Sequence, residues 1–220
     1  RIIELMGIKL ITIKGVEADD VIGTLADQAR QKKIDTVIST GDKDMTQLVC
    51  KNVKVVNTMT GELLDTKGVK KKFGVPPELI IDYLALIGDT SDNVPGVMGV
   101  GEKTAVKLLK EYGTLENALD HADEVKNKRA REGLQSGREK ALLSQELVTI
   151  DTNMNIDSNF EEMATDGFDV NELEGLFHEL EFQALINQIK SFKSEVPSQN
   201  EESEKDYKTL LDLIDIFQFF

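Results

Sequence analysis

Seven acidic residues of the sequence lie in three short motifs. The first two motifs follow predicted strands, and the third lies at the end of a predicted helix. The motifs are Glu17-Ala18-Asp19-Asp20, Gly41-Asp42-Lys43-Asp44 and Gly88-Asp89-Thr90-Ser91-Asp92-Asn93. Carboxylates that are crowded together stay ionised only when cations neutralise them. Mg²⁺ and Mn²⁺ prefer oxygen ligands, and two such ions about 4 Å apart can activate a water and stabilise the leaving oxygen in phosphodiester hydrolysis. The motifs therefore predict a two-ion site that needs no protein nucleophile, in a sequence with two histidines and no evident Ser/His/Asp arrangement.

Each acidic motif taken alone also has an ordinary structural interpretation. The acids from Glu17 to Asp20 are typical of a helix start, where they cap the helix and favour its dipole. The second motif is typical of a solvated turn, and the third of a loop with Asx-turns. Spacing supports a site, because Glu17 and Asp20 share a helix face, as Asp89 and Asp92 would if their segment were helical. The three motifs together favour a shared metal site.

The stretch from Val94 to Ala105 is the most specific in the sequence. Its three glycines permit positive φ and close backbone approach, and an amphipathic helix follows at once. Free N–H groups at that helix start form a phosphate site, to which Lys103 adds charge. The pattern predicts a helix–hairpin–helix motif that binds the DNA backbone without reading bases. A tight structural turn is the alternative, whereas a nucleotide-binding P-loop fails on its glycine spacing and on the absence of a preceding strand.

Alternating strands and helices in the first third of the chain must position the acidic motifs. We predict strands over 9–13, 36–40, 53–56 and 63–64, a helix over 17–33 and a short helix over 44–48. Strand, helix and strand at this spacing imply a right-handed parallel βαβ unit. The first two motifs would then lie at the C-terminal ends of strands, where ligands bind in open α/β folds.

The rest of the chain is predicted to be helical. We predict helices near 66–73, 77–88, 102–112, 114–121, 137–149, 171–178 and 181–192, with another around 126–133. Residues 194–206 have the composition of a disordered linker, and the apolar end over 214–220 could begin another domain. We therefore expect part of a catalytic domain over 1–75, a helical subdomain over 76–193, and an acidic linker with the start of a following region over 194–220.

The net charge of −14 is unevenly distributed. Residues 151–220 carry 17 acids and 4 bases, whereas residues 1–150 carry 23 acids and 22 bases. The acidity therefore belongs to the C-terminal part, and a polyanionic partner is compatible with the rest once cations fill the acidic cluster. The single cysteine, Cys50, excludes an internal disulfide and a multi-cysteine zinc site. No apolar run reaches the length of a membrane span, so we expect a cytoplasmic protein without a membrane partner.

These motifs, in this order, resemble the 5′-nuclease family, which comprises the N-terminal domain of bacterial DNA polymerase I, phage 5′-exonucleases and flap endonucleases. The matching segments are Glu17–Asp20, Thr40–Asp44, Leu86–Gly96, Gly99–Ala105 and, near the end of that domain, Leu180–Phe182. The resemblance implies an α/β fold with a PIN-like parallel sheet and helices, followed by a mostly helical part with a helix-hairpin-helix (helix–three-turn–helix) motif. It also implies a monomeric, structure-specific nuclease that cuts 5′ flaps and RNA primers on flap, nicked or primer-template DNA in replication and repair.

The resemblance further assigns site residues. It implies catalysis and metal binding by Glu17, Asp19, Asp20, Asp42 and Asp44, with Asp89 and Asp92 completing the second of two Mg²⁺ or Mn²⁺ sites. It implies contact with duplex DNA, and a K⁺ ion held by backbone carbonyls, at Gly96, Val97, Gly99, Val100, Gly101, Lys103 and Thr104.

The family begins roughly 80 residues earlier than this sequence, by the same resemblance, and its upstream part supplies a strand with a metal-binding Asp, a second Asp and a basic arch. We therefore expect a truncated chain whose parent carries polymerase domains. One alternative is a catalytically incomplete fragment that only binds DNA. Another is an RNA-processing nuclease of the wider PIN class, which the glycine hairpin disfavours because such domains normally lack it.

Overall fold

A computed structural model gives the structure of the chain, and it describes residues 1–156, 159–165 and 169–195, with the backbone alone over 191–195. The predicted linker beyond residue 195 and the apolar end over 214–220 lie outside the described residues. The chain divides into two compact units. One unit is Val16–Ile156, and the other combines Arg1–Gly15 with the chain from Asp157 onward.

A mixed three-stranded sheet lies in the unit Val16–Ile156. Strand β1 (Thr36–Ser39) pairs in parallel with β2 (Val53–Asn57), which pairs antiparallel with β3 (Glu62–Leu64). The prediction of a parallel sheet therefore holds for β1 and β2 alone. The four residues between β2 and β3 permit a hairpin, because a parallel crossover needs a dozen residues or more.

The predicted strand over 9–13 is wrong. None of these residues belongs to a strand in the described part of the chain, and Leu10 is 62% exposed. An apolar run forms a strand only when a neighbouring strand accepts and donates its backbone hydrogen bonds, and this segment has no such neighbour among the described residues. The βαβ unit that would have begun with it is therefore absent, and β1 and β2 are joined by the 3-10 helix Asp44–Leu48 instead.

Helices make up most of the unit Val16–Ile156, close to their predicted positions. They are α2 (Ala18–Gln31), α3 (Thr66–Phe73), α4 (Ile80–Ile87), α5 (Glu102–Tyr112), α6 (Leu115–Asp120), α7 (Lys128–Ser136) and α8 (Arg138–Val148), with 3-10 helices at Pro77–Leu79 and Ala122–Glu124. Helix α4 is apolar on almost every side, and it packs against α5, α6 and α8. Its buried Asp82 carboxylate accepts from Leu115 N at 3.0 Å and from Gln145 Nε2 at 2.6 Å, which fixes α6 and α8 to it.

The second unit is a small helical cluster. Helix α1 (Ile2–Leu5) packs against α9 (Val170–Glu179), which packs against α10 (Gln183–Glu195). Its core buries Met6 against apolar side chains of α9 and α10, namely Leu173, Phe177, Leu185, Ile186 and Ile189. Within the described ranges, every helix is too short or too polar to span a lipid bilayer.

Candidate metal centre and nucleic-acid interface

Six of the seven predicted metal ligands line one cavity of about 310 Å³ in the unit Val16–Ile156. They are Glu17, Asp19, Asp20, Asp42, Asp44 and Asp92. Apolar side chains and backbone from Val94 and from the end of α8 complete the wall. The fold thus collects carboxylates that lie up to 75 positions apart in the sequence, as expected for groups at neighbouring loop positions.

The first acidic motif sits at the start of α2, as predicted. Glu17 occupies the N-cap position in extended backbone, yet its side chain makes no capping hydrogen bond. The pKa of Asp19 is raised, first by burial and then by the neighbouring charge of Asp42 and Glu17. Burial and the neighbouring carboxylates therefore disfavour the ionised form of Asp19, as expected of a member of an acidic cluster.

The second acidic motif forms the turn between β1 and the 3-10 helix Asp44–Leu48. Asp42 Oδ1 accepts from Asp44 N at 2.9 Å, which makes an Asx-turn, so the structural interpretation holds for this one oxygen. The Asp44 carboxyl points inward, where its Oδ1 is buried and without a hydrogen-bond partner. Burial, then the charge of Asp42, raises the Asp44 pKa to about 6. A buried acceptor without a donor is where a cation would be favoured.

The third acidic motif divides between two cavities. Residues 89–94 form a turn closed by the Asp89–Val94 bridge, so Asp89 and Asp92 do not share a helix face. Asp89 pairs with Lys43. This pairing holds the pKa of the Asp89 carboxyl below its usual value and raises the pKa of the Lys43 ammonium. Both side chains line a neighbouring cavity of about 560 Å³, which shares Val94 with the acidic one.

The donor set suits a hard divalent cation, because the acidic cavity offers only oxygen ligands together with the unpartnered Asp44 Oδ1. The distances between the carboxylates suit a bound ion less well than their chemistry does. Among the residues the structure describes, no three His, Cys, Asp or Glu side chains lie close enough together to hold an ion as they stand. The residues fit the chemistry of the ion, and binding would require their side chains to draw together.

A strap formed by residues 148–154 closes one side of the acidic cavity, and no sequence pattern predicted it. Gln47 Nε2 donates to Val148 O at 2.8 Å and to Asp44 O at 3.0 Å, while its Oε1 accepts from Ile150 N at 3.1 Å. Asp20 Oδ1 accepts from Asp151 N at 2.9 Å. The strap therefore fixes both helices that carry the carboxylates. Gln47 lies three residues from Asp44, and nothing in its type or spacing predicted this role.

The glycine hairpin is shaped by contacts that a side chain would block. Gly88 and Gly96 both have positive φ, and a β-carbon at Gly96 would lie 2.6 Å from Gly88 N. Gly96 N donates to Ser144 Oγ at 2.9 Å, which ties the hairpin to α8. Gly101 differs, since a β-carbon there would meet nothing within 4 Å. Internal packing thus requires Gly96, whereas the space at Gly101 is open to a ligand.

The hairpin presents backbone donors to solvent at the start of α5. Within the part of the chain that the structure describes, the N–H groups of Gly101, Glu102 and Lys103 donate to no protein acceptor. Lys103 is exposed beside them, whereas Val97 and Val100 are buried in the core. Of the residues predicted to contact DNA, the two valines could therefore contribute only their backbone atoms.

Two family models match the chain in succession. The 5′-3′ exonuclease N-terminal resolvase-like domain matches residues 1–74, and the 5′-3′ exonuclease C-terminal SAM fold matches residues 75–171. DNA polymerase I of Pseudomonas aeruginosa is 44% identical over 219 residues, which cover 94% of this chain and 24% of that protein. The 5′-3′ exonuclease of Aquifex aeolicus is 42% identical over 189 residues, covering 86% of this chain and 64% of that protein.

The chain therefore spans about a quarter of the polymerase relative and somewhat under two thirds of the exonuclease relative. Among solved structures, the bacteriophage T5 D15 flap endonuclease, in a complex with DNA and metal ions, has a TM-score of 0.60 and 23% identity, over 64% of this chain and 53% of that one. This likeness shows the fold, a resolvase-like α/β part followed by a helical part. The chain belongs to the 5′-3′ exonuclease family, whose two domains follow one another over residues 1–171.

Proposed function

We propose that this chain is part of a metal-dependent 5′-3′ exonuclease and flap endonuclease that hydrolyses phosphodiester bonds in 5′ flaps and RNA primers. One observation carries the proposal: the cavity lined by six carboxylates shares its wall residue Val94 with the glycine hairpin. A phosphate backbone bound by the hairpin N–H groups would pass close to the acidic side chains. Family membership and the T5 enzyme solved with DNA and metal ions support the same reaction.

The acidic cavity would hold one or two divalent cations, Mg²⁺ or Mn²⁺, through Glu17, Asp19, Asp20, Asp42 and Asp44, with Asp92 at its edge. Such ions would lower the pKa of a bound water and neutralise the leaving oxygen. The protein itself would supply orientation. Lys43 would hold Asp89 apart from the other carboxylates, and the strap would exclude water from one side of the cavity.

Further parts of the proposal concern the setting of the reaction. The substrate would be flap, nicked or primer-template DNA, or an RNA primer–DNA hybrid, and a K⁺ ion would bind carbonyls of the hairpin. The protein would act as a monomer in the cytoplasm, at the nucleoid, in replication and repair. The relative from Pseudomonas aeruginosa suggests that polymerase domains follow on the same parent chain.

A second candidate is a module that binds DNA without cutting it. The absence of any three carboxylates within reach of one ion, among the described residues, favours this alternative. An assay of a 5′-flap duplex labelled on the flap separates the two, with cleavage and binding measured on the same substrate in Mg²⁺. Cleavage that is lost in Asp42→Ala while binding persists supports the nuclease. Binding without cleavage by the unchanged chain favours the binding module for this chain, and binding without cleavage by a version extended with the upstream residues of its parent contradicts the nuclease.

A further inference from the structure

Three lysines form a basic face on α3. Lys67, Lys70 and Lys71 are exposed, and their spacing of three and four residues places them on one side of the helix. Val69, which is fully buried, points to the opposite side. Among the described residues, none of the three lysines forms an ion pair. Lys72 follows Lys71 at the edge of this face and does form an ion pair, with its Nζ 2.6 Å from Glu62 Oε2.

Helix α5 carries a second face of the same kind. Lys103, Lys107 and Lys110 are exposed, at positions that flank Val106 on one side of the helix. None of them forms an ion pair with an acid in the described part of the chain. Lys103 also lies beside the unpartnered N–H groups of the hairpin. This face therefore continues directly from the proposed phosphate-binding site.

The two basic faces meet at the contact between Gly74 and Val106. Gly74 caps the end of α3, one turn after Lys70 and Lys71, and a β-carbon there would lie 3.2 Å from both γ-carbons of Val106. Val106 stands between Lys103 and Lys110 on α5. Because Gly74 follows the lysines of α3 and Val106 lies between Lys103 and Lys110 on α5, this approach brings the two groups of lysines next to each other. We name the six lysines the α3–α5 lysine surface.

We propose that the α3–α5 lysine surface binds the phosphate backbone of a DNA duplex, as an extension of the hairpin site onto α3. The inference rests on the proposed function and adds a second contact outside the hairpin. A solvated face would need no partner. The six lysines form no ion pair with the exposed acids of α5, Glu102 and Glu111, so their positive charge is left for a polyanion to neutralise. Double-stranded DNA carries a charge about every 1.7 Å of its axis, so it can neutralise lysines on both helices at once.

The test measures binding of a fluorescein-labelled 5′-flap duplex by anisotropy, in EDTA so that the substrate stays intact. The variant replaces Lys67, Lys70 and Lys71 by Gln, which keeps helix propensity. Each lost phosphate contact lowers the slope of log K against log salt by about 0.9. We therefore expect the slope to fall by about 2 to 3, with affinity reduced about tenfold or more at low salt.

A matched control replaces three exposed lysines on other parts of the chain, Lys9, Lys14 and Lys51, by Gln, so that the net charge changes equally. If the control lowers affinity and slope as much as the α3 variant, net charge alone explains the effect and the inference is wrong. It is also wrong if the α3 variant binds DNA normally but unfolds at lower temperature in low salt, since the lysines would then pair with acidic parts of the chain.

The Gly101→Ala variant separates this inference from the proposed function. Weaker binding by Gly101→Ala, together with an unchanged slope for the α3 variant, overturns the lysine surface and leaves the hairpin site standing. No binding of the duplex by the unchanged chain overturns both. Reduced affinity and a reduced slope in the α3 variant, with normal binding by the lysine control, support the inference whatever the result for Gly101→Ala.

Discussion

Asp44 carries the strongest electrostatic signal in the acidic cavity. Its pKa is raised from 3.8 to about 6, by burial first and by Asp42 second. Because the folded pKa lies above the unfolded one, the protonated carboxyl stabilises the fold below about pH 4, and this contribution is lost as the pH rises through about 6. At neutral pH the folded chain therefore contains a carboxylate that destabilises it. Perturbed carboxylates of this kind cluster at functional sites, so the shift supports a role for Asp44 in binding a cation or substrate.

Substituting Asp44 by Asn should stabilise the metal-free chain at pH 8 and change little at pH 4. A shift of one pKa unit is worth about 1.4 kcal/mol, and partial exposure of the carboxyl reduces it, so we expect a gain on the order of 1 kcal/mol. Urea unfolding across this pH range measures the difference. The exposed Asp35→Asn serves as control for the removal of one surface charge. Parallel profiles for Asp44→Asn and the unchanged chain would remove Asp44 from this role.

The same substitution should have different main effects at Gly96 and Gly101: a loss of stability at Gly96 and a loss of DNA affinity at Gly101. Gly96→Ala places a methyl group 2.6 Å from Gly88 N at a positive φ, so it should destabilise the chain by about 2 to 4 kcal/mol. Gly101→Ala meets no neighbour and should cost about 1 kcal/mol at most. It should nonetheless weaken duplex binding, because the methyl group keeps phosphate away from the free N–H groups. Denaturation and anisotropy measure the two effects, and full DNA affinity in Gly101→Ala would contradict the hairpin site.

Among the elements, α8 links the hairpin to the acidic cavity. Ser144 near its middle holds Gly96, and Val148 at its end is held by Gln47. The strap that follows α8 then reaches Asp20 through Asp151 N. Hydrogen bonds thus connect the hairpin to both groups of carboxylates through one helix and the strap.

Ser144→Ala should loosen the hairpin without unfolding it. Ser144 is fully buried, and its loss leaves Gly96 N without an acceptor, which costs about 1 to 3 kcal/mol. Ser136→Ala is a matched control. Both hydroxyls donate at 2.7 Å to the carbonyl four residues earlier, but Ser136 is exposed and accepts from no hairpin N–H. We expect faster amide exchange at Gly96 and weaker DNA binding in Ser144→Ala alone. Equal effects in the two variants would show that the Gly96 contact is unimportant.

Gln47→Leu should release the strap from the acidic cavity. The substitution removes three hydrogen bonds and leaves Val148 O and Ile150 N unpartnered, so we expect a loss of about 2 to 3 kcal/mol. Hydrogen exchange at Ile150 and Asp151 should accelerate. Gln135→Leu, at an exposed site on α7, should change stability by less than about 0.5 kcal/mol. Unaltered exchange at Ile150 in Gln47→Leu would mean that Gln47 does not hold the strap.

The helices were predictable from sequence, whereas one strand and the strap were not. Helices α3, α7 and α9 begin at capping residues (Asp65, Asn127 and Asp169) whose effect is local, so their positions could be read from sequence. A strand forms only when a neighbouring strand pairs with its backbone, and this is why the strand predicted over residues 9–13 was wrong. The strap depends on pairs such as Gln47 and Ile150, 103 residues apart, and no local pattern reveals such a pair.

For the candidate site, the sequence predicted that the acidic side chains would gather, but it did not predict that Asp89 would lie in a cavity apart from the other six. Residue type and loop position were enough to place six carboxylates around one cavity. The separation of Asp89 depends on its pairing with Lys43, 46 positions away. The position of Lys43 between Asp42 and Asp44 indicates an ion pair in this region. The turn over 89–94 places Asp89 within reach of Lys43, and sequence alone does not predict that placement.

At the scale of the whole molecule, the six carboxylates around the acidic cavity should make stability depend on divalent cations. A cation that binds only the folded state at a hundred times its Kd should stabilise it by about 2.7 kcal/mol. Mn²⁺ should therefore raise the unfolding temperature at pH 8. The increase should shrink toward pH 5, because Asp44, with a pKa of about 6, is then mostly protonated. Asp42→Ala should lose most of the increase, whereas Glu116→Ala, outside the cavity, should keep it. Differential scanning calorimetry measures these shifts, and an equal shift in Asp42→Ala would mean that Mn²⁺ stabilises the chain elsewhere.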